Sequence, residues 1–361
     1  MAALRVAMLA PIAWRVPPRH YGPWERVVSL LTEGLVERGV DVTLFATADS
    51  LTGAKLEAVC PRPYEEDKSL DAKVWECLHI AHLVEQADTF DIIHNHFDFL
   101  PLSYSNLTSA PVLTTIHGFS SERILPVYER YDASTYYVSI SDADRHPSLH
   151  YEATVHHGID FNEFTLNALA GEYLLFFGRL HPDKGAAEAV EVARKTGRPL
   201  VMAGIIQDQG YFEKEVEPHL SEQIRYVGSV GPEDRDRLLG GAYALLHLIN
   251  FGEPFGLSMV EAMACGTPVI ATPRGSVPEV VQDSVTGLIV QNVKEAIEAL
   301  PRVRDLSRAT VRRRAQERFD ICHMVDGYLG VYKRIVNYAT EAPHESDLSS
   351  DAQPPESATS S

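Results

Sequence analysis

Basic residues are scarce in this chain of 361 residues, where 32 lysines and arginines stand against 50 aspartates and glutamates and the formal net charge is −18. A nucleic-acid surface needs cations to neutralise phosphates broadly, so the balance excludes nucleic acid as a partner. Acids without a single Lys or Arg follow Tyr338, so part of the charge belongs to the tail, and we read it as a solubility feature. Cysteine is scarce too: Cys60, Cys77, Cys265 and Cys322 form no C-x-x-C pair, which fits a reducing compartment and no structural zinc. Long apolar runs are missing, and nothing approaches the roughly 18 residues of a membrane span. The opening run Leu4 to Ala10 reads as a first strand rather than a signal peptide. A cytoplasmic protein is expected.

What is present looks like an ordinary globular enzyme, with 45% hydrophobic and 23% charged residues. The length suggests two domains. Leu4 to Ala10 has the continuous apolar character of a buried parallel strand. A loop rich in Pro, Arg and aromatics runs from Pro11 to Gly22, and Pro23 opens a helix whose apolar stripe (Val27, Val28, Leu30, Leu31, Leu35, Val36) ends at Gly39. Strands follow at Asp41–Ala46, Asp91–His96, Val112–His117 and Tyr136–Ser141, the last three ending in polar residues. The pattern lapses around Phe161 to Gly171 and then restarts, with strands at Tyr173–Arg179, Leu200–Gly204, Ile224–Gly228, Ala244–Leu248 and Pro268–Ala271. Two such series imply an α/β protein with two Rossmann-like domains facing each other across a cleft. Ala309 to Ala339 reads as a long helical segment broken near Phe319–Asp320.

The richest segment is Glu253-Pro-Phe-Gly-Leu-Ser-Met-Val-Glu261-Ala-Met-Ala-Cys-Gly266-Thr-Pro-Val-Ile-Ala271. One carboxylate precedes a short helix and the other lies inside it, so both can face a polyhydroxylated, anionic ligand over the helix N-terminus. The plainer reading is a surface helix with two solvated glutamates.

This segment resembles the signature of retaining nucleotide-sugar glycosyltransferases of family 4, and the resemblance runs from Val6 to about Tyr338. It implies the GT-B fold: two facing Rossmann-like domains with parallel sheets and a C-terminal helix returning to the first. The expected domains are 1–165 (acceptor side, plus about 320–339), 166–319 (nucleotide-sugar side) and a disordered acidic tail over 340–361. The implied activity is transfer of a hexosyl group from a nucleoside diphosphate sugar to an acceptor hydroxyl with retention. A UDP-sugar is favoured and GDP-mannose comes next.

By the same resemblance, Glu253 contacts donor-sugar hydroxyls and Glu261 the ribose, while the amides of Phe255, Gly256 and Leu257 serve sugar and diphosphate. Phe177-Gly-Arg179-Leu-His-Pro-Asp-Lys184-Gly185 resembles the family's Gly-Arg…Lys-Gly segment, so Arg179 and Lys184 are the cations expected to bear leaving-group charge. Thr114-Thr-Ile-His117-Gly118 matches a strand whose histidine reaches the donor sugar. Gly22-Pro23 stands where relatives carry a glycine pair, and since proline has no N–H, only Gly22 retains a donor for the diphosphate. Val230 and Gly204 are lining positions for which structural roles are equally open. His157 replaces the usual asparagine of an Asn-Gly-Ile/Val-Asp turn, and Asp160 in that turn reads as architectural. Ser139 and Ser141 border the acceptor side.

No metal and no cofactor are expected, because the histidines show no ligand spacing beside carboxylates. The acceptor is left open as a saccharide, small molecule or lipid-linked compound. Membrane contact is at most peripheral, through the Trp14–Arg19 loop. Two other readings stand beside transfer: a nucleotide-sugar epimerase or isomerase on the same scaffold, and a silent nucleotide-sugar-binding protein.

Overall fold

A computed structural model of the chain describes residues 3–118, 122–169 and 171–341. Of the tail expected over 340–361, all but the first two residues lie outside this range. Seven strands form the first sheet: β1 (Arg5–Leu9), β2 (Asp41–Phe45), β3 (Lys55–Glu57), β4 (Ile92–Asn95), β5 (Val112–Ile116), β6 (Tyr136–Ser139) and β7 (Ala153–Thr154). Their order is β3-β2-β1-β4-β5-β6-β7. Six more follow: β8 (Tyr173–Phe177), β9 (Leu200–Ala203), β10 (Ile224–Tyr226), β11 (Ala242–His247), β12 (Val269–Ala271) and β13 (Gly287–Ile289), in the order β10-β9-β8-β11-β12-β13.

Among the described residues all strand pairs are parallel, and each sheet reverses its strand order beside its first strand. That reversal opens a crevice at the carboxyl ends of the strands, the place where such sheets bind ligands. The expected strands all appear, most a residue or two shorter than their apolar runs. The short edge strands β3, β7 and β13 and the helix Ala72–Val84 were not anticipated. That helix leaves Val74 and Leu78 exposed, so its sequence carries no clean apolar stripe.

The helix Pro23–Glu37 begins as expected after Gly22 and buries Val27, Val28, Leu31 and Leu35. The long helical segment breaks at Asp320 into Arg308–Phe319 and Ile321–Glu341. The second piece returns to the first sheet, where Met324, Val325, Tyr328, Val331, Tyr332 and Ile335 join the core of β1, β2 and Pro23–Glu37. Gly34 is where the two helices approach, since a Cβ there would stand 2.5 Å from Val325 Cγ2.

The chain crosses between the two sheets twice, side by side. Ile159 N–H donates to Phe319 O at 2.9 Å and Ile321 N–H to Ile159 O at 3.0 Å. Arg312 ties the outgoing crossing down by donating to the carbonyls of Phe161 and Phe164 at 2.8 and 2.7 Å.

Candidate active site

β8 ends at Phe177, and the chain turns through Gly178-Arg179 into Pro182–Lys184 and the helix Ala186–Thr196. Gly185, at φ 76°, sits against the neighbouring strand end: a Cβ there would lie 2.0 Å from Leu248 O. This close approach aims Lys184 at the loop after β11. Lys184 Nζ donates to Glu253 Oε2 at 2.7 Å and lies 4.3 Å from the centre of the Phe251 ring. His247 Nε2, at the end of β11, stands 3.4 Å from the same carboxylate oxygen. Burial alone would raise the Glu253 carboxyl, but His247 and Lys184 together hold it down at about 2. Burial lowers the Lys184 amine and Arg179 adds to this, with Glu253 opposing.

Glu253 is followed by Phe255, buried against His157, and by Gly256, which takes a left-handed conformation to enter the helix Leu257–Ala264. The N–H groups of Gly256 and Leu257 stand at the helix end that lacks intrahelical acceptors. Glu261, inside the helix, accepts from Arg235 Nη1 at 3.0 Å, and Arg235 also reaches Glu163 at 3.3 Å. Arg26 of the first sheet's helix pairs with that same Glu163. Arg179 hydrogen-bonds Gln207. Gly204 packs on the strand turn before Arg179, where a Cβ would meet Gly178 O at 1.8 Å, and its own N–H donates to Gly228 O at 2.9 Å. Its observed contacts are structural. Val230 is half-buried beside Gly231, whose Cβ position lies 4.0 Å from His20 Nδ1 of the first-domain loop.

Across the cleft, Gly22 holds φ at 145°, and a Cβ there would strike Pro18 Cβ at 2.8 Å. Tyr21, just before it, feels the charges of Arg179 and Glu253, though burial is the main cause of its raised hydroxyl. The loop therefore faces Arg179 and Glu253. Within it Trp14 meets Tyr21 edge-on, and Arg19 is paired with Asp49 and Glu66, so its charge is answered inside the protein. His117 follows β5 and lies under Trp24, with ring centres 5.2 Å apart and planes at 20°. Gly118 touches the second domain, since a Cβ there would stand 2.6 Å from Pro254 Cγ. His117 is buried, and burial with the neighbouring His96 and His157 drives its protonation well below the ordinary range.

Residues 24–160 match the profile of Glycosyltransferase Family 4, and residues 161–317 match that of Glycosyl transferases group 1. The chain is a GT-B-fold glycosyltransferase related to both families. It transfers a sugar from a nucleotide-sugar donor to an acceptor. It is 25% identical to D-inositol 3-phosphate glycosyltransferase of Mycolicibacterium smegmatis, over 84% of each chain. The Mycobacterium leprae protein of that name is 32% identical over 46% of this chain and 43% of its own. Among solved structures, sucrose-phosphate synthase from Thermosynechococcus elongatus superposes with a TM-score of 0.76 at 19% identity, covering 93% of this chain and 100% of the other. AviGT4, a glycosyltransferase involved in avilamycin A biosynthesis, gives 0.69 at 24% identity, covering 93% and 98%. Anabaena Alr3699/HepE, solved with UDP and glucose, gives 0.72 at 16% identity, covering 92% and 100%.

The glycosyltransferase therefore gathers Arg179, Lys184, Glu253 and the 255–257 turn on one wall of its cleft. Gly22 and His117 stand on the other. Sequence reading missed several partners. His247 had a signal in its place at the end of an apolar strand. Arg235 had none, because it meets Glu261 only through the fold. Asp144 was also missed. It lines a cavity of about 290 Å³ with Glu253, Gly252, Arg145 and His146, and its Oδ2 is buried without a partner. Burial, with Glu253 and Glu279 nearby, raises its carboxyl to about 7. Asp160 caps the turn at Asn162 (2.8 Å), and Ser141 Oγ accepts from Asp144 N–H at 3.1 Å. Among the described residues no group of His, Cys, Asp and Glu is arranged to hold a metal ion.

Proposed function

We propose that the enzyme is a retaining hexosyltransferase that uses a UDP-sugar, with GDP-mannose as the second choice of donor. The observation that carries this reading is the buried Lys184–Glu253 pair with His247, beside Arg179 and at the mouth of a helix N-terminus. A carboxylate held ionised in a buried place can accept hydrogen bonds from sugar hydroxyls through the oxygen that Lys184 leaves open. Arg179, Lys184 and the amides of residues 255–257 would take up charge as the diphosphate departs, in a site from which water is largely excluded. Glu261, steadied by Arg235, would hold the ribose, and Gly22 would offer its N–H to the diphosphate. Gly204 and Val230 would border the base.

Among the described residues no side chain stands out as a covalent nucleophile, so we favour front-face displacement. The glycosyl–oxygen bond to the diphosphate breaks as the acceptor oxygen bonds to the same carbon face, and the departing phosphate oxygen takes the acceptor proton. The UDP preference is supported by the Anabaena structure solved with UDP and glucose. The relatives named for D-inositol 3-phosphate make a cyclitol or its phosphate the first acceptors to try. We place the enzyme in the cytoplasm because all four cysteines are free thiols. Among the described residues no helix is long and apolar enough to cross a membrane.

A thermal-shift panel of UDP-, GDP- and ADP-sugars tests the donor, followed by acceptor screening with anomeric NMR on the product. Stabilisation by a UDP-sugar and an α-linked product from an α-linked donor are expected. Inversion at the anomeric carbon, or stabilisation by none of these donors, would sink the proposal. Rearranged donor with no transfer to any acceptor would point to the epimerase reading instead.

A further inference from the structure

His117 is one member of a longer arrangement. Four buried imidazoles run in file from the cleft to the C-terminal helix. His157 Nε2 lies 3.3 Å from His117 Nδ1. His117 Nε2 lies 2.8 Å from His96 Nδ1, and His96 Nε2 lies 3.3 Å from His94 Nδ1. His94 Nε2 then meets Thr115 Oγ1 at 2.8 Å, and its Nδ1 meets the Tyr332 hydroxyl at 2.6 Å. Thr115 Oγ1 is in turn 2.7 Å from the Tyr328 hydroxyl. Every ring-to-ring link joins an Nε2 to an Nδ1.

A neutral imidazole has one donor and one acceptor, so protonating one ring at Nε2 fixes all of them the same way. Two directions are open. If each Nε2–H donates to the next Nδ1, the group left over at the cleft end is the lone pair of His157 Nδ1, which is buried without a partner. If the direction reverses, that same atom becomes a buried N–H with no acceptor. The first direction leaves two hydroxyl hydrogens over at the Thr115, Tyr328 and Tyr332 end and the reverse leaves one, but a hydroxyl rotates toward another acceptor while the ring fixes the aim of His157 Nδ1, so the deciding difference lies at His157. An orphaned buried N–H is the rarer and costlier defect. The first direction wins, and it leaves His117 with its Nδ1 receiving from His157 and its Nε2–H given to His96.

We propose that His96, together with His157, is a positioning residue that locks His117 as the Nε2–H tautomer with both ring nitrogens occupied, so that His117 presents a fixed ring to the donor and neither takes nor gives a proton during transfer. This rests on the reading that His117 meets the donor sugar. The stack of Trp24 fixes the ring plane, and the file of histidines fixes its rotation. Burial keeps the rings of the file uncharged, which the one-donor, one-acceptor pattern requires. The titratable groups around His117 are His96 and His157, with His94, Tyr328 and Tyr332 behind them. Glu25 lies on the helix that carries Trp24, Asp144 lies beyond Gly118, and Glu253 stands across the cleft beside Pro254.

The test uses the whole protein labelled with ¹⁵N-histidine, its His117 signals assigned by their loss in His117→Asn. Long-range ¹H–¹⁵N spectra should show His117 protonated at Nε2 only, unchanged from pH 5 to 8. His96→Leu should lower kcat by about 10- to 100-fold through a misplaced ring, leave the donor KM within about 3-fold, and add a new ionisation to the pH–rate profile. His96→Asn, whose amide oxygen can still receive the His117 N–H, should recover most of the rate and remove that ionisation. A wild-type His117 protonated at Nδ1, or titrating within this range, overturns the proposal, as does a His96→Leu enzyme with unchanged kcat and pH profile. The spectra decide even if His96→Leu folds poorly. Wild-type rates in His117→Asn would instead remove the role of His117 itself, which is the separate, underlying reading.

Discussion

Lys184 and Glu253 show how a single contact serves both stability and chemistry. Each is nearly buried, and neither would tolerate burial alone. Replacing Lys184 by Ala removes a fixed cation from the leaving-group site and leaves Glu253 facing His247 only. We expect kcat to fall by about 100-fold or more, read as nucleotide release under saturating donor. A rate within about 3-fold of wild type would remove Lys184 from the mechanism. Glu25 gives a pH prediction. Burial raises its carboxyl from 4.5 to about 8, against weaker hydrogen bonds from its own backbone and from Trp14. The folded protein thus holds this proton where the unfolded chain has released it. The stabilisation is complete below pH about 4.5 and is lost as pH rises to about 8, at up to roughly 1.4 kcal/mol per pH unit. Glu25→Gln should be insensitive in this window, so its melting temperature should gain on wild type between pH 5 and 8 and hold a constant lead above. Parallel melting curves for the two proteins across that range would contradict the assignment.

At the scale of elements, the strands and the Glu253–Ala271 segment were legible because their signals are local: apolar runs, a turn, a helix and a strand in sequence. The helix break at Asp320 was legible for the same reason. The short edge strands were not, since β7 has only Ala153 and Thr154 and its pairing with β6 is decided by the sheet. The histidines of β4 carry no local signal of a shared role, and their link to His117 exists only once β4 and β5 lie side by side in parallel. Arg235 and Asp144 are functional candidates by contact alone, and no local pattern marks them. Gly204 shows an element-level constraint that looks like a ligand position in the sequence. Its φ of 142° and the carbonyl of Gly178 leave no room for a side chain. Gly204→Ala should pry the ends of β8 and β9 apart and cost at least about 2 kcal/mol, seen as a lower midpoint in urea unfolding. An unchanged midpoint would mean that the turn relaxes freely.

At the scale of the whole molecule, the carboxylate of Glu279 latches the two sheets together, alongside the Arg26–Glu163–Arg235 link. Glu279 accepts from the N–H groups of Asp142 and Ala143 at 2.9 and 2.7 Å, and His156 Nε2 lies 3.2 Å away. Each of these partners belongs to the first sheet's loops, while Glu279 belongs to the second. Glu279→Ala should let the cleft open, giving a larger radius of gyration in solution scattering that shrinks again when a donor binds. Because closing then costs more, the acceptor KM should rise by about 3- to 10-fold. Scattering profiles that coincide with wild type would show that the latch carries no weight.

The paired crossings at Ile159 and Phe319–Ile321 bear on how the protein is made. The core around β1 and β2 includes Tyr328 and Tyr332, which leave the ribosome only after the whole second sheet has been synthesised. The second unit is contiguous and can close as soon as it emerges, whereas the first must wait, with its apolar helix face uncovered, for a helix made last. During that interval the helix face at Gly34, which Val325 later covers, stays open, so the unit that appears first in translation is the last to complete its core.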